Sequence, residues 1–137
     1  MSMTFFDAVV SIDSYNYYGR DPHYLGGRLL PYVKQGGMLY RSIPGMVRDC
    51  HDNLPDCLLK SWTPEQLDYM HDIAWWRAMI EPTAGVETVS MQPMLCTNEA
   101  WEDWLACDNE YAAGDRAAVE AGALEYLNTI AIVLRKL

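Results

Sequence analysis

Cysteine and histidine are the side chains whose chemistry and spacing are easiest to test, because thiolates and imidazoles are both reactive groups and metal ligands. The four cysteines lie at positions 50, 57, 96 and 107, and no two of them form a Cys-x-x-Cys pair. This spacing predicts neither a zinc ribbon nor a thioredoxin-type redox site. A metal site built from Cys50, His51 and Cys57 is one alternative. Free, largely buried thiols in a reducing compartment are the simpler interpretation.

Carboxylates are the second group with chemical potential. The chain has 19 acidic and 10 basic residues and a formal net charge of −9, which argues against binding to nucleic acid or to an anionic membrane. The segment from Asn98 to Glu125 contains Arg116 as its only basic residue. This segment is interpreted either as a solvated helical face or as a surface for a basic partner or substrate. Its eight acids are Glu99, Glu102, Asp103, Asp108, Glu110, Asp115, Glu120 and Glu125.

The length and composition of the chain limit the number of domains and the class of protein in which these residues can lie. A chain of 137 residues, 50% hydrophobic and 12% aromatic, fits one folded domain over residues 1–137. The sequence has no apolar run long enough to span a bilayer and no signal-peptide pattern at its start. The expected location is therefore the cytoplasm.

The first third of the chain predicts two strands joined by a weak helix. Phe5–Asp13 is a short, β-rich apolar run, and Met38–Ile43 is predicted to be a second strand ended by Pro44-Gly45. Between them, His23–Lys34 has helical spacing but contains glycine and proline, so a short or kinked helix is expected. The glycines at 36 and 37 predict a helix C-cap and turn.

The remainder alternates helix and strand. Thr63, Pro64 and Glu65 are a strong helix start, and the helix is expected to break near His71-Asp72 and resume to Ile80. Residues 98–121 are predicted to form helix in two pieces that separate near Gly114. The predicted strands of this part are Val86–Met91 and Tyr126–Leu134. The alternation places the chain in the α/β class.

Four segments, in this order, resemble the second half of a class I, Rossmann-like S-adenosylmethionine-dependent methyltransferase, in a branch related to small-molecule and lipid-type enzymes. In the family they correspond to the fourth strand and its loop, a helix with a G-G turn and the fifth strand, a helix with paired tryptophans before the sixth strand, and the seventh strand. Gln35 stands where proline is usual in the turn. The segments are FFDAVVSIDSYNYYG, YLGGRLLPYVKQGGMLYRSIPG, MHDIAWWRAMIEPTAGVETVSMQPM and EYLNTIAIVLRKL.

The resemblance implies a partial sheet with strand order 4-5-7-6 and an antiparallel last hairpin, without the first βαβαβα half. That first half supplies the G-x-G loop, and neither Gly26-Gly27 nor Gly36-Gly37 is followed by a phosphate- or ribose-binding pattern. The implied cofactor is S-adenosylmethionine, with weak or no binding expected for the chain alone. The implied partners are a second copy, forming a homodimer through the first strand, or a complementing N-terminal half.

The resemblance also suggests functional residues. Asp13 and Ser14 follow the first strand, which implies a position near the methionine part of the cofactor or near the methyl acceptor. His71, which precedes the paired tryptophans, is a candidate general base on an acceptor N–H or O–H, and Asp13 is the second catalytic candidate. A capping aspartate and a structural histidine are the alternatives.

Aromatic residues are the candidates for the acceptor pocket. They could shape the pocket or contact a sulfonium through cation–π interaction, or they could simply pack in the core. Because the two tryptophans are adjacent, one is expected to pack against the sheet and the other to line a pocket or an interface. The candidate substrate-binding residues are Tyr15, Tyr17, Tyr18, Trp75, Trp76 and Pro44, which is expected to frame the mouth of the site.

Three hypotheses about function follow. The first is a methyltransferase-family chain that acts on a small molecule and needs the other half of the fold for activity. The second is a non-catalytic oligomerising or regulatory half-domain. The third is a small acidic binding protein that uses the 98–125 segment, in which case neutralising Glu99, Glu102 and Asp103 would abolish partner binding.

Overall fold

The computed structural model describes residues 4–137 and contains a four-stranded sheet. Its strands are β1 (Phe6–Ile12), β2 (Val33–Met46), β3 (Val86–Pro93) and β4 (Leu127–Lys136). Their order is β1-β2-β4-β3, with β1 parallel to β2 and β4 antiparallel to both of its neighbours. This is the α/β fold that the sequence predicted. The strand order and the final antiparallel hairpin are those that the resemblance implied, with β1, β2, β4 and β3 in the places of the family's strands 4, 5, 7 and 6.

The helices are short, and their caps explain where they begin. The break predicted near His71 is confirmed, because Asp72 accepts a hydrogen bond from the backbone N–H of Trp75 and so starts a new helix. Thr63 and Gln66 form a capping box at the preceding start. No helix in residues 4–137 is long and apolar enough to cross a membrane. The α-helices are α1 (Tyr15–Tyr18), α2 (Pro64–Leu67), α3 (Ile73–Ile80), α4 (Thr97–Leu105) and α5 (Glu110–Glu120).

Two hydrophobic clusters hold the fold. The larger one lies on one face of the sheet, where residues of β2 and β4 pack against α1, α3 and the π-helical turn Leu25–Leu29 that follows α1. Trp76 is fully buried in this cluster, as expected for one of the two adjacent tryptophans. The smaller cluster joins the end of the sheet to α2 and α5 through Met46, Leu67, Ala118 and Leu127.

The opposite face of β1 is uncovered. Val10 and Ile12 are 65% and 74% exposed, and Phe6 on the same side of the strand is also exposed. Among the described strands, β1 has β2 as its only neighbour, so its outer backbone edge is open. Val9 points to the other side of the strand and packs against the larger cluster.

The second strand is longer than predicted at both ends. Pro44 and Gly45 do not end it, because β2 pairs with β4 as far as Met46. Pro44 is tolerated since β1 pairs with β2 only as far as Ser42, which leaves β2 without a neighbour on that side. At the other end the glycines form no helix cap. They belong to an irregularity in the β1–β2 register, where Gly36 has a φ of 78°.

The helical segment 98–121 does divide in two, but not at Gly114. The division lies at residues 106–109, where Asn109 accepts a hydrogen bond from the N–H of Tyr111 and caps α5. Gly114 lies inside α5. Asparagine strongly favours the N-cap position at which a helix starts, whereas a glycine inside a helix weakens the helix without ending it. This accounts for the difference.

The cysteines are free thiols, as predicted, but none of the four is buried: Cys50 and Cys57 are half-buried, and Cys96 and Cys107 are exposed. The alternative metal site is also not formed within residues 4–137: His51 is engaged by Asp49 and by the Leu67 carbonyl, and no group of metal-ligating side chains is arranged around it.

Candidate functional site

A pocket of about 580 Å³ opens at the carboxyl ends of the two parallel strands. Ile12 and Asp13 from the end of β1, residues 42–45 from β2 and residues 127–129 from β4 form one side of it. Residues of α2 and its following turn, of α4 and of α5 form the other. In open α/β sheets ligands bind in this position, because the loops that follow parallel strands meet there. The size is that of a small-molecule site.

Asp13 is the carboxylate at the end of β1. Its backbone has a φ of 57° and its N–H donates to the carbonyl of Ser42 at 2.7 Å, so the turn holds the residue in a conformation that is uncommon outside glycine. In the part of the chain that is described, its carboxylate has no hydrogen-bond or ion-pair partner. Desolvation raises the pKa of Asp13, although the residue as a whole is exposed. A free carboxylate with a raised pKa can accept a proton or bind a cation.

Aromatic rings line both sides of the pocket. Tyr17 packs against Tyr69 with ring centroids 5.0 Å apart, and Trp62 meets Trp101 edge-to-face at 6.0 Å. Trp104 is the fifth aromatic residue of the lining. Rings in these paired arrangements offer their faces and edges to a bound molecule.

Asp115 is the second carboxylate of the lining, and its role is to hold an aromatic side chain. The indole Nε1 of Trp104 donates to its Oδ2 at 2.9 Å, and the Ser61 hydroxyl donates to its Oδ1. Both oxygens are thus used within the protein. Asp115 fixes the ring of Trp104 between α4 and α5, while Asp13 keeps its carboxylate free.

Two amide side chains of the lining have unsatisfied oxygens. Asn16 on α1 is 1% exposed, and its Oδ1 has no hydrogen-bond partner in residues 4–137. The buried Oδ1 of Asn128 at the start of β4 is likewise unpaired. A buried acceptor without a donor costs about 1–3 kcal/mol. Because neither oxygen has accessible surface, both lie behind the pocket wall rather than on it.

Three of the predicted residues next to Asp13 are occupied elsewhere. Ser14 bonds to Ser11 at 2.8 Å and to the Tyr18 hydroxyl at 3.1 Å. Tyr15 is buried in the larger cluster, and desolvation raises its pKa to about 12. None of Ser14, Tyr15 and Tyr18 belongs to the described lining of the pocket, so the structure brings only Asp13, Tyr17 and Pro44 of the candidates together there.

His71 is buried behind the pocket. Its ring stacks on Trp75 with centroids 3.6 Å apart, and its backbone carbonyl accepts a hydrogen bond from Met46 in β2 at 2.9 Å. The described lining includes neither His71 nor Trp75 nor Trp76. A catalytic role for His71 stays a prediction, and its backbone carbonyl supports the end of β2.

His51 and His71 form a pair with opposite electrostatic surroundings, their rings 5.0 Å apart. Burial lowers the pKa of His71, and the neighbouring His51 adds to this effect. Burial also opposes protonation of His51, but the Leu67 carbonyl and the Asp49 carboxylate outweigh it and raise its pKa.

We therefore expect the two histidines to titrate on opposite sides of their ordinary pKa of 6.5, His51 above and His71 below. NMR titration of the ring C–H signals measures both values. Asp49→Asn is expected to lower the His51 value, and Asp21→Asn is the control because Asp21 lies on a different loop. Two coincident titrations near 6.5 would contradict the expectation.

The sequence did not indicate most of the residues on the side of the pocket that is formed by α2, α4 and α5. Asn16 was passed over between two tyrosines, although a lone amide within an aromatic run is a signal of a polar function. Asp115 was grouped with the solvated acids of 98–125. No pattern in the sequence indicated that Trp62, Trp101 and Trp104 face the end of β2, because that depends on how α4 and α5 dock.

Comparison with known proteins gives the same fold. No protein-family model and no curated protein matches the sequence. Among solved structures, phosphoethanolamine N-methyltransferase 2 of Haemonchus contortus, in complex with phosphomonomethylethanolamine and S-adenosylhomocysteine, is 13% identical with a TM-score of 0.68 over 99% of this chain and 35% of that one. Geranyl diphosphate C-methyltransferase of Streptomyces coelicolor is 12% identical with a TM-score of 0.67, over 96% of this chain and 47% of that one.

A cyclopropane synthase of Mycobacterium tuberculosis is similar to the same degree, 15% identical with a TM-score of 0.62 over 98% of this chain and 56% of that one. The chain thus spans between about a third and somewhat more than half of these structures. At such identities the likeness establishes the fold alone: the chain folds like one part of each of these structures.

Proposed function

We propose, from this methyltransferase fold, that the chain forms the acceptor-binding side of an S-adenosylmethionine-dependent methyltransferase that acts on a small molecule. One observation carries the proposal: the pocket at the carboxyl ends of β1 and β2 contains a carboxylate, Asp13, that has no partner within the described protein. A scaffold kept only for packing or for oligomerisation has no need of an aromatic pocket with a free acid at this position.

The residues present fit one end of the cofactor. S-adenosylmethionine, when bound, supplies an electrophilic methyl group on a sulfonium. The turn that carries Asp13, supported by the hydrogen bond between Ser14 and Tyr18, would lie beside the positively charged methionine part of such a molecule, and the Asp13 carboxylate would stay free for the acceptor. The sequence has no G-x-G motif for the nucleotide part. We therefore expect weak or no cofactor binding by this chain alone, measurable by calorimetry.

The role of the chain in the reaction is positioning and proton acceptance. Methyl transfer from a sulfonium needs an acceptor held in line and deprotonated as its new bond forms. The aromatic rings of the pocket orient the acceptor in this proposal. The Asp13 carboxylate takes the proton that the acceptor nitrogen or oxygen loses. Its raised pKa makes it a better base than an ordinary aspartate.

The open edge of β1 supports a proposal about partners. Because β1 is parallel to β2 and its outer face is apolar, it suits a further parallel strand and the helices that accompany it. We propose that the remaining part of the methyltransferase fold, in the same or in another polypeptide, covers this edge. A homodimer through β1 is the alternative. The four free thiols are compatible with a cytoplasmic location, which is proposed on that ground.

The isolated chain is expected to self-associate through β1 at low micromolar concentration. Val10→Lys places a charge on the exposed face of that strand and should shift the chain toward the monomer in light scattering. Val47→Lys is the matched control, since Val47 is also exposed, at 51%, but lies outside the four strands. A monodisperse wild-type monomer would contradict the expectation.

The function itself is tested on the assembly that the protein forms in its own cells. The purified assembly is incubated with S-adenosylmethionine carrying a radiolabelled methyl group and with the small-molecule fraction of the same cells. We expect label in a low-molecular-mass product and loss of that label when Trp104→Ala opens the pocket. An assembly that neither binds S-adenosylmethionine nor transfers label would overturn the proposal and favour a non-catalytic role.

A further inference from the structure

We infer that the molecule held in this pocket is an organic amine that binds in its cationic form, carried on an aromatic or apolar group. The inference rests on the proposed function and deepens it, since it names the class of methyl acceptor. The bound ammonium gives one proton to the Asp13 carboxylate, and the nitrogen lone pair freed in this way forms the new N–C bond as the bond between methyl carbon and sulfur breaks. Four features of the pocket carry the inference: its charge, its rings, its free carboxylate and its apolar surface.

The charged side chains in the described lining of the pocket are all acidic. Two carboxylates, Asp13 and Asp115, belong to its lining, and the described lining includes no lysine, arginine or histidine. Arg20 lies above the ring of Tyr69 at 3.9 Å, but its guanidinium is bonded to Asp68 at 3.1 Å and stays outside the lining. An anionic group would therefore enter the pocket without a counter-charge, at a large desolvation cost.

The aromatic rings also favour a positively charged ligand. Five aromatic rings line the pocket, and the faces of such rings attract an ammonium group. They are those of Tyr17, Trp62, Tyr69, Trp101 and Trp104. Asp115 accepts the indole N–H of Trp104 and so fixes how that ring is presented. Ile12, Ile43 and Leu127 add apolar surface to the lining, which suits the non-polar part of an amine.

The free carboxylate sets the hydrogen-bonding character of the pocket. The carboxylate of Asp13 accepts hydrogen bonds and, when ionised, donates none. An ammonium group brings up to three N–H donors and no acceptor, so the two groups are complementary. A phosphate or carboxylate ligand has acceptor oxygens and the same sign of charge as Asp13, so it is not complementary.

Binding of three molecules of matched shape tests the inference. Phenethylamine is the cation, 2-phenylethanol its neutral analogue and 3-phenylpropionate its anionic analogue. Each is titrated into the ¹⁵N-labelled chain while the indole N–H signals are followed. The chain has five tryptophans, of which Trp62, Trp101 and Trp104 line the pocket while Trp75 and Trp76 do not, so the signals report where binding occurs.

We expect phenethylamine to shift the three pocket signals and to bind about tenfold tighter than 2-phenylethanol, with 3-phenylpropionate the weakest. Asp13→Asn should remove the tenfold preference, whereas Glu99→Gln, which neutralises an exposed carboxylate on α4 outside the lining, should keep it. Equal binding of the three probes, preference for the anion, no binding of any, or shifts confined to Trp75 and Trp76 would each overturn the inference.

The outcome is separable from that of the proposed function. If the native assembly methylates a neutral or anionic molecule, the proposed function holds and the amine inference fails. If the pocket binds the amine with the expected preference but the assembly transfers no methyl group, the proposed methyltransferase function fails and the inference about the ligand holds.

Discussion

Replacement of Asp13 by asparagine is expected to slow methyl transfer in the native assembly by about 10²–10⁴-fold, the range over which a positioned acid or base acts. The substitution keeps the size of the side chain and its tolerance of a φ of 57°, so the turn after β1 should survive. It removes the proton acceptor and the negative charge. Initial rates at saturating acceptor, with circular dichroism to check the fold, measure the effect.

The pH dependence gives a second measure of the same residue. Because desolvation raises the pKa of Asp13, the wild-type rate should fall as the pH drops through that raised value and the carboxylate becomes protonated. The Asp13→Asn variant should lack this acidic limb. Glu99→Gln is the control for a general change in charge on the same acidic molecule.

His71→Gln distinguishes the two catalytic candidates. Since the ring of His71 is stacked on Trp75 and lies outside the described lining, its loss should lower stability more than rate. If His71→Gln lost rate as severely as expected for Asp13→Asn while the Asp13 variant stayed active, the assignment of the base would be reversed.

The strands could be predicted because each one carries its own signal, whereas their order in the sheet was implied by the resemblance. The apolar run of β1, the β-branched run of β4 and the Thr63-Pro64 start are local features, and the resemblance arranged them in one order that the structure reproduces. The ends of β2 could not be predicted in this way. Pro44 is a strand breaker by type, and only the end of β1 at Ile12 makes it acceptable in β2.

The residues of the pocket also fall into two groups, those that local sequence features could predict and those that they could not. Asp13, Tyr17 and Pro44 lie on the strand ends and their loops, where the fold itself places ligands, and they do line the pocket. The other side depends on long-range docking of α4 and α5, of which the hydrogen bond from Trp104 to Asp115 is one part. Sequence spacing specifies which face of a helix is apolar but not where along the sheet edge that face comes to lie.

Trp76→Ala is expected to destabilise the fold by about 3–5 kcal/mol, the usual loss for a buried large aromatic side chain. Trp76 is fully buried on α3, where its ring meets Tyr15 at 5.8 Å and Trp75 at 4.9 Å. The change leaves a cavity between α1, α3 and the sheet. Such a loss is a large part of the stability of a domain of this size, so unfolding by urea should show a much lower midpoint.

Trp76→Phe separates packing from hydrogen bonding at this position. The indole Nε1 of Trp76 is buried without a partner in residues 4–137, so phenylalanine removes an unsatisfied donor while keeping most of the apolar surface. The free-energy cost of Trp76→Phe should be clearly smaller than that of Trp76→Ala.

Trp101→Ala is the control for loss of a tryptophan at a partly exposed position, where a smaller loss of stability is expected since less area is buried. Equal losses for Trp76→Ala and Trp101→Ala would mean that α3 does not anchor the sheet. In that case the position of Tyr15 beside Trp76, and with it the turn that presents Asp13 to the pocket, would need another support.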